Sequence, residues 1–174
     1  MSLHIVRNNI AQMHCDAIVN AANTELRRGD GVCGAIFAAA DAEALECECC
    51  ALAPCPTGGA VATSGHGLAC KWIIHAVGPI WQGGSRGEKE LLRSAYRSAL
   101  RIVEEKDCDS AAFPLISAGI YGFPKEAALR IALEELQAFS FVRDVELYLI
   151  IFSRESFPMG EQRFDDIHSD INNR

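Results

Sequence analysis

The sequence predicts a three-layer α/β/α sandwich built on a central mixed, mostly parallel sheet of about six strands. Three observations predict it. Six short apolar runs recur along the chain, and helical segments lie between most of them. The runs are largely continuous rather than alternating, as strands covered on both faces are. The 174 residues, 49% apolar and 22% charged, are enough for one domain with its own core.

The elements follow in order. HIVRN is a short first strand, and DAIVNAAN begins a second with Ala17, Ile18 and Val19 at its centre. From Gly34 to Ala53 the alanine, leucine and glutamate content predicts helix, broken near Asp41, until Pro54 and Pro56 end it. AVATS (Ala60 to Ser64) and KWIIHAV (Lys71 to Val77) are strands, the second central. GPIWQGGSRG is a loop. Leu91, Leu92, Ala95, Tyr96, Ala99 and Val103 recur at helical spacing. SAAFPLI is a buried strand running into the loop SAGIYGFP, Pro124 opens a helix through Phe139, and VELYLIIF (Val145 to Phe152) is the last strand. One domain is expected over residues 1–174, with 153–174 a polar extension holding a short helix around Gln162 to Ile171.

Composition narrows the function. A net charge of −7 argues against nucleic acid as a partner, because such binding needs lysine and arginine to neutralise phosphates. A small phosphorylated ligand stays open, since backbone N–H groups bind anions without side-chain charge. No eighteen-residue apolar run and no secretory start are present, so no membrane partner and a cytoplasmic location are expected. The eight cysteines include Cys47 and Cys50 at zinc-like spacing, but Cys49 intervenes and the next histidine is His66. Free thiols and no metal are the expectation.

Gly29, Gly31 and Gly34 form a literal Gly-x-Gly-x-x-Gly. A dinucleotide fingerprint starts its first glycine at the end of a strand and has an acidic residue about twenty positions on. Here nine residues, AANTELRRG, run from the end of the strand to Gly29, and the later region reads APCPTGG. The context contradicts a dehydrogenase. Glycines leading into a helix still present N–H groups to an anion, and Ser117 to Gly122 forms a second such loop after a buried strand. Either loop alone reads equally as a tight turn; together they suit a diphosphate.

VNAAN, GVCGAIF, IIHAVGP and FPLISAGIYGFPKEAA, in this order from about Val6 to Phe152, resemble the macrodomain family. The resemblance implies a three-layer module that binds ADP-ribose. It implies as partners ADP-ribose, ADP-ribosylated protein or O-acetyl-ADP-ribose, with no cofactor, in a monomer or weak dimer. Many bacterial members remove ADP-ribose from side chains or deacetylate O-acetyl-ADP-ribose. Carried over by position, Gly31, Val32, Cys33 and Gly34 match the first diphosphate loop, and Ser117, Ala118, Gly119, Ile120, Tyr121 and Gly122 the second. Asn23 matches the asparagine beside the distal ribose; its alternative role, and that expected for Asn20, is bracing the loop. Asn9 and Ile10 fall beside the adenine, and Phe152 is placed like the adenine-stacking aromatic, a core phenylalanine being the alternative. His75 lies in an apolar strand and is expected to be a hydrogen-bonded core residue.

Three departures from the pattern matter. Asn9 stands where many members have aspartate, so a charge-assisted bond to adenine becomes neutral. Cys33 replaces the aspartate of Gly-Val-Asp-Gly, a residue associated with the attacking water. A thiol near pKa 8.5 is mostly neutral at pH 7, although a helix N-terminus can lower that value. Asp30 stands where relatives have glycine, and either supplies the missing carboxylate or is a solvated loop residue. Asn23, Cys33 and Asp30 are therefore the catalytic candidates of an expected ADP-ribosyl hydrolase. A non-catalytic ADP-ribose reader is the alternative.

Overall fold

The computed structural model describes residues 2–151. Six strands form one sheet: β1 (Ser2–Arg7), β2 (Ala17–Ala22), β3 (Ala60–Ser64), β4 (Trp72–Val77), β5 (Ser110–Pro114) and β6 (Glu146–Ile151). Their order is β1-β6-β5-β2-β4-β3, parallel throughout except for the antiparallel edge strand β3. Four helices cover the sheet: α1 (Gly31–Ala39) and α2 (Ala42–Leu52) on one face, α3 (Glu88–Glu105) and α4 (Lys125–Ser140) on the other. The sandwich and the mixed sheet are those expected. Phe152, the 153–174 extension and the expected helix around Gln162 to Ile171 lie outside the described residues.

Strand alternation sorts the core into two layers. Ala17, Val19, Ile74 and Ala76 face α3 and α4, while Ile18, Ile73 and Val77 face α1 and α2. Arg93 and Arg97 of α3 both reach the nearly buried Glu135 of α4, at 3.0 Å and 2.8 Å, fastening that layer. Among the described residues no helix is long and apolar enough to cross a membrane.

Two boundaries differ from the sequence reading. The first helix begins at Gly31 rather than Gly34, because a first turn lacks internal hydrogen bonds and carries little compositional signal. It breaks as expected at Asp41, whose carboxylate accepts from the Ala44 N–H at 3.2 Å and caps α2. Strand β5 stops at Pro114 instead of continuing to Ile116. The buried Tyr96 hydroxyl takes over there, donating to the Pro114 carbonyl at 2.9 Å and accepting from the Ile116 N–H at 3.1 Å. The chain thereby leaves the sheet where the second glycine loop begins. The sequence reading also missed a 3-10 turn, Ile10–Gln12, capped by Asn9.

Candidate ligand-binding site

The parallel strands β1, β2, β4 and β5 end on one edge of the sheet, so the loops after Arg7, Ala22, Val77 and Pro114 meet there. Open α/β sheets bind ligands at this edge. Two adjoining clefts occupy it. One, about 250 Å³, is lined by Asn9, Ile10, Ala118 and Lys125 among others. The second, about 280 Å³, is lined by Asn23, Asp30, Cys33, Ser117, Ile120 and Tyr121 among others. Gly31, Val32, Leu115 and Gly119 line both, so the two glycine loops form a waist between them.

That waist is rich in unused donors. Among the described residues, the N–H groups of Gly31, Val32 and Cys33 at the start of α1 have no protein acceptor, and neither do those from Ser117 to Tyr121. N–H groups converging from a helix N-terminus and an irregular loop make an anion site. The glycines divide their work. Gly31 has φ +59° with open space where a side chain would point, so it turns the backbone towards the cleft. Gly34 lines neither cleft; a Cβ there would come 2.6 Å from the Gly29 carbonyl oxygen. Its role is the close packing of α1 on the preceding loop. Gly122, at φ +72°, closes the second loop by donating to Gly119. Ile120 is 76% exposed at the cleft and free to fold over a ligand.

Ser117 is held against its preference. It has φ +65°, is only 6% exposed, and its Oγ has no hydrogen-bond partner among the described residues. Glycine at 78 makes room for it, since a Cβ there would lie 2.2 Å from Ser117 Oγ and 2.4 Å from Ile116 Cγ2. Gly78→Ala is therefore expected to push the second loop outward and lower stability by about 1–3 kcal/mol. Affinity for a diphosphate ligand at the waist should fall about tenfold in calorimetry, a loss of about 1.4 kcal/mol. Unchanged binding would show that the loop position is irrelevant to the ligand.

Below the waist a polar chain enters the core. Asn20 and His75 sit opposite each other in the β2–β4 register, and Asn20 Nδ2 lies 3.1 Å from His75 Nδ1. The same amide donates to Cys33 Sγ at 3.7 Å, and the Cys33 thiol donates to the Arg27 carbonyl at 3.6 Å. His75 Nε2 lies 3.0 Å from Thr63 Oγ1. Burial pulls the fully buried His75 down to about 4, leaving the ring neutral. Burial pushes the Cys33 thiol up, outweighing the Asn20 hydrogen bond. Burial thus favours the protonated thiol.

The remaining candidates fall as follows. Asn23 lines the second cleft while its amide clasps the Arg27 backbone, donating to the carbonyl at 2.9 Å and accepting from the N–H at 3.0 Å. One amide hydrogen and one lone pair remain for a ligand. Asp30 lies at the same end, exposed and making no cap hydrogen bond. Asn9 lines the first cleft, but its Oδ1 already accepts from the Ala11 N–H at 3.0 Å. Lys125 and Gly78 were missed as cleft residues. The position of each at a helix start or strand end on the loop edge is the signal that marks them.

The Macro domain family model matches residues 19–132. A Macro domain-containing protein of Methanosarcina mazei is 46% identical over 156 residues, covering 88% of this chain and 83% of that protein. The O-acetyl-ADP-ribose deacetylase of Escherichia coli is 38% identical over 166 residues, covering 92% and 93%. Among solved structures, the Oceanobacillus iheyensis macrodomain with ADP superposes with TM-score 0.83 at 37% identity, covering 98% of this chain and 90% of that one. A Trypanosoma brucei macrodomain in complex with ADP-ribose gives 0.82 at 31% identity, covering 94% and 68%. The chain belongs to the Macro domain family.

Proposed function

We propose that the chain binds ADP-ribose and hydrolyses its conjugates, either mono-ADP-ribosyl groups on acidic side chains or O-acetyl-ADP-ribose. The observation that carries this reading is the pair of donor sets at the waist, from Gly31 to Cys33 and from Ser117 to Tyr121. A diphosphate seated there sends adenosine into the cleft with Asn9 and Ile10, and the distal ribose into the cleft with Asn23. Asn23 orients the sugar through its remaining donor and acceptor. A water held between a phosphate oxygen and the ribose is the nucleophile, and its placement supplies the rate gain. The E. coli relative, named a deacetylase, supports the catalytic half of the proposal.

One observation favours the second reading, a binding module that reads ADP-ribose without cleaving it. The thiol in the position of the family aspartate is buried and neutral. The two readings separate in one assay: ADP-ribose release from a peptide mono-ADP-ribosylated on a carboxylate, followed by chromatography. Steady release is the expected result. Tight binding without release establishes the reader. A large gain in Cys33→Asp identifies the thiol as the limiting element, and an unchanged rate in Asp30→Ala removes Asp30 from the mechanism.

A further inference from the structure

A third compartment continues the cleft beyond the end marked by Asn23. It encloses about 290 Å³ and shares Gly78 and Tyr121 with the second cleft. Thr24, Thr57, Gln82, Arg86 and Glu88 supply most of its polar lining, with the Glu88 carboxylate committed to main-chain N–H groups. Thr24 directly follows Asn23, and its carbonyl is pinned by the Cys55 N–H at 2.8 Å. The opposite wall is the loop after β4, which contains Gly83, Gly84 and Gly87 yet is firmly held. The buried carboxylate of Glu88 accepts from the N–H groups of Gln82, Gly84 and Arg86 at 3.0, 2.7 and 2.6 Å. The Trp81 N–H donates to the Tyr121 carbonyl at 2.8 Å, and the Trp81 ring packs on Phe123. These bonds tie the wall to the second glycine loop. It is a built surface in register with the site.

Arg86 lines the compartment, is exposed, and has no ion-pair partner among the described residues. Arg27 and Arg28, on the loop after Asn23, are also exposed, with Glu25 and the exposed Asp30 on the same stretch. Arg28 is close enough to Cys33 for its charge to act on the thiol. An uncommitted guanidinium in the wall of a polar pocket suits a carboxylate, which it binds in a bidentate manner.

We infer that this third compartment receives the acceptor part of the conjugate, an acidic peptide segment, and that Arg86 selects for carboxylates flanking the modified residue. The inference rests on the proposed ADP-ribose site. It makes a modified protein the preferred substrate over the small acetyl ester, which leaves the compartment unfilled.

The test uses the full chain and three probes: free ADP-ribose, and two peptides carrying a non-hydrolysable ADP-ribosyl group flanked by either glutamates or glutamines. Calorimetry should show the glutamate peptide binding several-fold more tightly than the glutamine peptide. Arg86→Gln should weaken the glutamate peptide alone by about threefold, the size of an exposed ion pair, and Arg86→Lys should restore part of the difference. Added salt should erase the preference. Equal affinity for the two peptides, with ADP-ribose bound normally, overturns the acceptor assignment and leaves the ADP-ribose site standing. Failure of free ADP-ribose to bind overturns both.

Discussion

Asn23→Ala is expected to slow ADP-ribose release by about 10²-fold while the dissociation constant for ADP-ribose changes by less than about tenfold. The split follows from what the side chain does. In the proposed complex the diphosphate is held by main-chain N–H groups on other segments, from Gly31 to Cys33 and from Ser117 to Tyr121, which alanine at 23 leaves in place. The Asn23 amide contributes orientation, with one donor and one lone pair left over from its clasp on Arg27. A misplacement of about 1 Å between water and sugar is enough for a loss of this size. Single-turnover release and calorimetry on the same variant check both halves. A variant that releases ADP-ribose at the parental rate would remove Asn23 from the mechanism, whereas equal loss in binding and release would make it a simple contact.

The second large effect is on stability in acid. His75 titrates near 6.5 when unfolded but is held at about 4 in the folded chain by burial. The unfolded state therefore takes up a proton that the native state refuses. The stabilisation from a neutral His75 is complete above about pH 6.5 and declines as pH falls towards about 4, where the native ring also protonates. The loss levels off at about 3 kcal/mol. Chemical denaturation of the parent and of His75→Gln across this range should show a one-proton slope in the parent that the variant lacks. Resonances of the His75 ring should stay those of a neutral imidazole until about pH 4. A ring titrating near 6.5 in the native protein would refute the account.

Acid should also reach the site through this residue. With Asn20 Nδ2 donating to His75 Nδ1, the remaining ring proton sits on Nε2 and donates to Thr63. Protonating Nδ1 would set donor against donor. Asn20 Oδ1 has no partner among the described residues, so a turn of the amide relieves the conflict. The same turn withdraws the donor from Cys33, at the floor of the second cleft.

Particular residues show how far the sequence could be read. Asp41 was legible because a helix break and an N-cap are local matters: the carboxylate reaches the N–H of Ala44, three residues on. The end of β5 was not. Pro114 stops the strand only because Tyr96, from another element, satisfies the groups on either side of it. Nor could the sequence tell the glycines of the first loop apart. Gly31 and Gly34 look equivalent in the sequence, yet one turns the chain towards the cleft and the other makes room for the Gly29 carbonyl. Asn9 lines the first cleft, and the 3-10 turn that its oxygen also caps went unrecognised.

By itself the sequence determined the layered architecture, the order of strands and helices along the chain, and the two glycine loops, because apolar runs, prolines and caps act over a few residues. Only the tertiary structure decided which groups face a ligand and which face each other. Asn20 and His75 meet across 55 positions through strand register, Ser117 is buried against Gly78, and the Glu88 loop leans on Tyr121. The physical reason is that a side chain's chemistry depends on burial and on partners brought from other strands, and sheet packing alone sets both.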